Sequence, residues 1–166
     1  MSQARFDPYA VFRELKSTHV GYVVIGGLAR VLRGSDELTH NIDLTPSPVE
    51  QNLDRLRQAL ENVGARRVDG RDLDLNDLDP AREPIVRLTT HVGDVNIVLE
   101  PEGTRGYNDL RRRATHEPIG EGLRPKVASA GDLVRMLEAL GRDNDRLVIE
   151  TMQRVVELDR GLSWER

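Results

Sequence analysis

The chain has 166 residues, of which 38% are hydrophobic and 31% charged, and its formal net charge is −4. This length and composition predict one globular domain over residues 1–166, with a sizeable core and a highly charged surface. The lack of cysteine excludes disulfides, thiolate zinc sites and a cysteine nucleophile, and the net negative charge argues against a protein that coats nucleic acid over its whole surface.

Strand and helix signals alternate along the first 100 residues. The predicted strands, in chain order, are Tyr22–Ile25, Ile42–Leu44, Ile85–Thr90, Val95–Leu99 and a short one at Pro125–Ala128. Gly93-Asp94 is the predicted turn between the third and fourth strands. Residues 65–83 contain few apolar side chains and predict irregular structure.

Capping signals mark most of the predicted helices. Asp7-Pro8 predicts a helix start, because aspartate is a good N-cap and proline fits the first helical position. The further predicted helices are Leu28–Leu32, one from a capping box at Ser47–Glu50 to Val63, Tyr107–Ala114, one from Ser129 to Leu140, and Asp145–Leu158. The chain is therefore predicted to be a mixed α/β (α+β) protein, with a sheet core at 21–100 and a mainly helical part at 101–166.

A glycine pair and an Asn-x-Asp run form the most informative segment. The buried strand ends at Gly26-Gly27, and after thirteen intervening residues the chain reads Asn41-Ile42-Asp43. Side chains at positions i and i+2 of a strand lie on one face, so Asn41 and Asp43 point the same way. Glycines let a backbone approach a phosphate, and carboxylate oxygens are ligands for Mg²⁺. The spacing is that of a nucleotidyltransferase active site with one carboxylate replaced.

A third ligand in such a site comes from a neighbouring strand, and the side chain at that place is Asn96. Asp94 lies on the same strand face but is displaced by one residue pair. It is the alternative carboxylate for a metal site built around Asp43.

Several runs resemble known proteins. Gly26–Ala29, Thr39–Asp43 and Gly93–Asn96 resemble the nucleotidyltransferase superfamily that contains polymerase-β-like and kanamycin-type enzymes. Later runs are similar to the AbiEii/MenT-type toxin-like proteins, namely Gly103–Leu110, Val127–Arg135 and Gly141-Arg142. The resemblance covers residues 21–158 and implies a nucleotidyltransferase fold, with a small mixed sheet flanked by helices and a helical C-terminal third.

The resemblance implies transfer of a nucleoside monophosphate from an NTP to RNA, in studied relatives to the 3′ end of tRNA. Gly26 and Gly27 would then cradle phosphates, while Asn41, Asp43 and Asn96 would occupy the three metal-ligand positions. The family pattern has Asp at all three, so Asp43 alone keeps its acid.

Two further departures lie near the C-terminal helices. Relatives usually carry a triphosphate-binding lysine where this chain has Leu137, and a Pro-Lys-Asp run where it has Asp143–Asp145.

Coulomb energies give these departures weight. A charge pair at about 4 Å is worth roughly 4 kcal/mol at an effective dielectric constant of 20. Asparagine at two of three ligand positions removes two such interactions with a dication, so weak or absent Mg²⁺ binding is expected. The leading hypothesis is a toxin-like nucleotidyltransferase disabled or weakened by Asn41, Asn96 and Leu137.

Two alternatives stay open. The first is an active transferase that uses Asp43 together with Asp94 or a substrate phosphate. The second is a non-catalytic scaffold that uses its C-terminal helices to bind a partner.

Other residues near the glycine pair have predicted roles. Arg30 and Arg33 are placed to meet the phosphates of an NTP, and Thr39 is a candidate regulatory residue because some relatives are phosphorylated here. The implied partners are a nucleotide, tRNA and a cognate antitoxin protein. No apolar run approaches the roughly 20 residues of a membrane span, and the first residues lack a signal-peptide apolar segment. The expected location is therefore the cytoplasm.

Overall fold

The computed structural model describes residues 5–164. The helices are α1 (Pro8–Ser17), α2 (Gly26–Leu32), α3 (Glu50–Asn62), α4 (Tyr107–Leu110), α5 (Ala130–Leu140) and α6 (Arg146–Trp164). The strands are β1 (Tyr22–Ile25), β2 (Asn41–Pro46), β3 (Arg66–Arg67), β4 (Val86–Thr90), β5 (Gly93–Ile97), β6 (Thr115–His116) and β7 (Lys126–Val127). Within this described part, no helix combines the length and apolar character that crossing a bilayer requires.

The seven strands form one mixed sheet in the order β3-β4-β5-β2-β1-β7-β6. β1 runs antiparallel to β2, whereas β2 and β5 are parallel neighbours in the centre. Their register pairs Asn41 with Asp94 and Asp43 with Asn96. The polar residues predicted for the site therefore come from two adjacent strands, although Asp43 and Asn96 are far apart in the chain.

Strand β1 is covered on both faces, whereas β2 and β5 alternate between buried and more accessible side chains. Val23 and Val24 are adjacent in β1 and point to opposite faces, yet both have no exposed surface, as do Ile42 and Leu44 in β2. Helix α5 contacts both α2 and α6, and α1 contacts α3. The mixed sheet with flanking helices confirms the predicted fold class.

Two of the predicted N-caps are present, and α5 ends at a glycine C-cap. Asp7 accepts a hydrogen bond from the backbone N–H of Ala10, and Ser129 accepts one from that of Asp132 at 3.1 Å. Gly141 ends α5 in the left-handed conformation, with φ of 63°. These interactions are local, which is why the sequence alone identifies them.

The predicted capping box at Ser47 is wrong. Helix α3 begins at Glu50, and its N-cap Val49 makes no side-chain hydrogen bond. The buried Asn52 instead bonds the backbone of Gly21 and the carbonyl oxygen of Ser47, at 2.7–2.9 Å. This tertiary contact fixes the loop before the helix and replaces the local cap.

Other element boundaries also differ from the prediction, among them the turn before β5 and the end of α4. The turn before β5 lies at His91-Val92, because the Thr90 hydroxyl donates to the carbonyl of Gly93 and accepts from the N–H of Val92. Gly93 and Asp94 therefore belong to the strand. The helix predicted to reach Ala114 ends at Leu110, and Arg113 beyond it forms ion pairs with two aspartates.

Candidate functional site

The turn from β1 into α2 places glycine against the candidate acid. Gly26 has φ of +70°, a conformation that side chains with a Cβ disfavour. A Cβ added there would lie 2.1 Å from Oδ2 of Asp43. Glycine is therefore needed both for the backbone angle and for the close approach of the turn to the carboxylate.

The three predicted ligand positions come together in the structure. The side-chain amide of Asn41 donates to Oδ1 of Asp43 at 3.1 Å, and that of Asn96 donates to the same oxygen at 2.8 Å. Alternation along β2 brings Asn41 beside Asp43, and the parallel register with β5 brings Asn96. One carboxylate oxygen is thus bonded by two neutral amides, while the other faces Gly26.

The pKa of Asp43 is raised above its ordinary value, and burial of the carboxylate is the main cause. The hydrogen bond from Asn96 and the positive charges of Arg30 and Arg87 act in the opposite direction. Among residues 5–164, no cationic side chain forms an ion pair with Asp43. Its charge is held in a half-buried place by amide hydrogen bonds and by arginines that form no ion pair with it, and burial destabilises the charged form relative to an exposed carboxylate.

The donor set does not fit the pair of Mg²⁺ ions used in nucleotidyl transfer. Mg²⁺ is bound by carboxylates and other hard oxygens, and here one carboxylate stands with two amides whose N–H groups point at it. In the described portion of the chain, no group of three or more His, Cys, Asp or Glu side chains is arranged to hold a metal ion.

Asp94, the alternative acid, lies one residue pair away from Asp43 along the paired strands. It is paired in register with Asn41 rather than with Asp43 and is exposed. It lines a depression of about 250 Å³ together with Asn41, Arg87 and Asn96, and Asn41 also lines the cleft beside the glycine turn. Asp43 belongs instead to the cleft beside the glycine turn.

That cleft has a volume of about 470 Å³ and two unlike walls. The wall on the sheet side is mostly polar and comprises Gly26, Gly27, Arg30, Thr39, Asn41 and Asp43. The opposite wall comes from α5 and is apolar, formed by Leu133, Met136, Leu137 and Leu140. Leu137 is only 1% exposed, so this position contributes packing and no charge.

The two predicted phosphate-binding arginines point in different directions. Arg30 lines the cleft, but its guanidinium is bonded to the carboxylate of Glu37. Arg33 does not line the cleft. It bonds Glu117 at 2.7 Å and the carbonyl oxygens of Val127 and Ala128, and so holds the β6–β7 edge of the sheet. The placement of Arg33 is structural.

Thr39 lies over the glycine turn. Its hydroxyl donates to the carbonyl of Asn41 at 3.2 Å, and a Cβ added to Gly27 would lie 3.4 Å from that hydroxyl oxygen. The side chain is half-buried at the cleft wall. A regulatory role for Thr39 stays a prediction.

Sequence reasoning missed two groups of cleft residues. Glu37 belongs to the loop after α2, and Glu100 and Glu102 follow β5 on either side of Pro101. None of them stands in a periodic pattern or a recognisable motif. Glu37 lies only seven residues after Arg30 in the sequence. This nearness is a weak signal, because the residues before Glu37 form an irregular loop.

Comparison with known proteins agrees with this architecture. No protein-family model matches the sequence, and no curated protein matches it either. Among solved structures, the chain is similar to TM1012 from Thermotoga maritima, a proposed nucleotidyltransferase, with a TM-score of 0.54 and 17% identity over 98% of each chain. It is also similar to the antibiotic-resistance factor ANT(2'')-Ia, with a TM-score of 0.53 and 13% identity over 95% of this chain and 91% of that one. At these identities the similarity concerns the fold alone: the chain adopts the nucleotidyltransferase fold.

Proposed function

We propose that this protein is a toxin-like member of the nucleotidyltransferase fold that binds a nucleotide in its cleft but no longer transfers it efficiently. The observation that carries the proposal is the donation of two amide N–H groups to one oxygen of Asp43. These amides occupy lone pairs that a catalytic Mg²⁺ would use. They also satisfy one of the two carboxylate oxygens without a cation.

The ancestral reaction in this proposal is transfer of a nucleoside monophosphate from an NTP to the 3′ end of tRNA. Nucleotidyl transfer depends on cations that neutralise the triphosphate and activate the attacking oxygen. Asn41, Asn96 and the buried Leu137 each remove a charge that this chemistry uses. The glycine turn and the cleft keep the shape of a nucleotide site, and a cognate antitoxin protein is the further partner proposed.

The test is a calorimetric titration of Mg²⁺ and each NTP into the wild-type chain and into the double variant Asn41→Asp/Asn96→Asp. We expect metal-dependent NTP binding at least about tenfold tighter in the double variant, since each restored carboxylate adds an attraction of order 1 kcal/mol or more to the cation. The matched control is Asn62→Asp/Asn108→Asp, which adds the same charge at two exposed positions and should leave binding unchanged.

Three results would overturn or redirect the proposal. Robust labelling of tRNA from NTP by the wild-type chain would overturn it, and loss of that labelling in Asp94→Asn would favour the active enzyme that uses Asp43 with Asp94. If neither the wild-type chain nor the double variant bound any nucleotide, the scaffold reading would replace it.

A further inference from the structure

The cleft contains two arginines among its described lining residues, and both are already paired with carboxylates. Arg30 and Glu37 form a two-pronged ion pair, in which Nε bonds Oε2 and a terminal nitrogen bonds Oε1, each at 2.8 Å. Arg142 pairs with Asp145 at 2.6 Å. The fork of Arg30 beside the glycine turn is therefore occupied by the protein's own anion.

Glu37 is held firmly in this position. The hydroxyl of Ser35 donates to its Oε2 at 2.7 Å, and Ser35 itself is 7% exposed. Burial acts to raise the pKa of Glu37, but the hydrogen bonds from Arg30 and Ser35 outweigh it and lower the pKa. A carboxylate bonded in this way presents two oxygens to the guanidinium, which is the geometry that a phosphate would also adopt.

The other charged side chains that line the cleft, apart from the two paired arginines, are acidic. Asp43, Glu100 and Glu102 also line it, and no ion pair to any of them forms within residues 5–164. The opposite wall offers the apolar side chains of α5. A polyphosphate entering without metal would meet an excess of negative charge and a guanidinium that is already bonded.

We propose that Glu37 is an internal anion that occupies the phosphate fork of Arg30 and so restricts the cleft to nucleosides and nucleoside monophosphates over triphosphates. This inference rests on the proposed nucleotide-binding function. Glu37 is a specificity-determining residue in it: a ligand phosphate gains the fork made by Nε and the bonded terminal nitrogen of Arg30 only by displacing the carboxylate. The loss of the metal ligands and the occupied fork act in the same direction, because both disfavour a highly charged ligand.

The C-terminal end of the same helix supplies a matched comparison. Arg33 caps α2 and pairs with Glu117 at 2.7 Å, and the side chains of Arg30 and Arg33 are each 15% exposed. The two ion pairs are therefore alike in length and in burial of the arginine. They differ in location, because neither Arg33 nor Glu117 lines the cleft.

The experiment measures binding of inorganic tripolyphosphate without metal, by calorimetry, so that the readout depends on neither a nucleoside nor Mg²⁺. We expect Glu37→Gln to bind it about tenfold or more tightly than the wild-type chain, since a charged bidentate contact becomes available. Glu117→Gln should bind as the wild type does, and Arg30→Gln added to Glu37→Gln should remove the gain. The ratio of AMP to ATP affinity should also fall by a similar factor in Glu37→Gln.

Ser35→Ala provides a second variant that keeps the Arg30–Glu37 charges but removes the hydroxyl holding Glu37, and a smaller gain is expected. Unchanged tripolyphosphate affinity in Glu37→Gln and Ser35→Ala would overturn the inference, as would an equal gain in Glu117→Gln. If the gain appears while no nucleotide binds to any variant, the nucleotide-binding proposal fails and the role of Glu37 as an internal anion stands.

Discussion

Aspartates at two places in this molecule are stabilised in opposite ways. Asp132 and Asp109 are surrounded by Arg113 and Arg135, with four ion pairs of 2.8–3.1 Å that join α4 and the following turn to α5. Asp43 instead accepts hydrogen bonds from neutral amides. The first arrangement, here called the arginine–aspartate cluster, balances its charges internally. The second leaves a charge facing the cleft.

The pKa shifts follow this difference. Burial acts to raise the pKa of Asp109, but hydrogen bonds from the backbone of Arg105 and from Arg113 and Arg135 outweigh it and lower the pKa to about 2. Burial of Asp43 raises its pKa, and no ion pair compensates. An unbalanced charge at a cleft destabilises the folded protein and is characteristic of a ligand site, whereas a balanced cluster stabilises the fold.

The largest expected effect comes from breaking the cluster. Asp132→Ala should lower the free energy of unfolding by about 2–3 kcal/mol, because Asp132 is 4% exposed and its loss leaves two guanidinium groups short of a partner. Urea denaturation measures the change. The control is Glu121→Gln, which breaks the exposed Arg13–Glu121 pair and should change stability by less than about 0.5 kcal/mol. Equal losses in the two variants would contradict the comparison.

A smaller effect is expected from protonating the cluster. Since the pKa of Asp109 is lowered from 3.8 to about 2 on folding, its charge stabilises the protein fully above about pH 4 and progressively less as the pH falls towards 2. The contribution is about 1 kcal/mol after allowance for solvent screening. Denaturation of the wild type and of Asp109→Asn between pH 2 and 7 should give stabilities that converge at acid pH. A constant difference across that range would show that the charge of Asp109 is not the cause.

The smallest effect on stability is expected at the candidate site. Asp43→Asn keeps the shape of the side chain and its acceptor oxygen while removing a half-buried charge without an ion pair. We expect the free energy of unfolding to change by less than about 0.5 kcal/mol, or to rise. Urea denaturation beside Asp132→Ala measures it. A loss as large as that of Asp132→Ala would mean that Asp43 serves the fold rather than a ligand.

The candidate site could be predicted in part because some of its geometry is local. Alternation along β2 sets Asn41 and Asp43 on one face, and a glycine pair after a strand indicates a tight turn. The sequence predicts Asn96 on a strand beside that of Asp43, and the parallel register of β2 and β5 pairs these two residues. The caps at Asp7, Ser129 and Gly141 depend on residues within four positions of one another.

Other features depend on partners that no local pattern identifies. The loop before α3 is fixed by hydrogen bonds between Asn52 and the backbone of Gly21, and the predicted cap at Ser47 does not form. Arg113 lies beyond the end of α4 and pairs with Asp132 of α5, 19 positions away in the chain.

The sequence by itself determined the alternating strands and helices, the glycine turn and the single acid at Asp43, because these follow from hydrophobic period, backbone freedom and residue type. Only the tertiary structure decided where the charges go. Arg30 lies in α2 and Arg33 caps its C-terminus three residues later, yet Arg30 faces the cleft and Arg33 bonds Glu117, 84 residues away in the chain. The physical reason is that an ion pair depends on which side chains the packed sheet and helices bring within hydrogen-bonding distance.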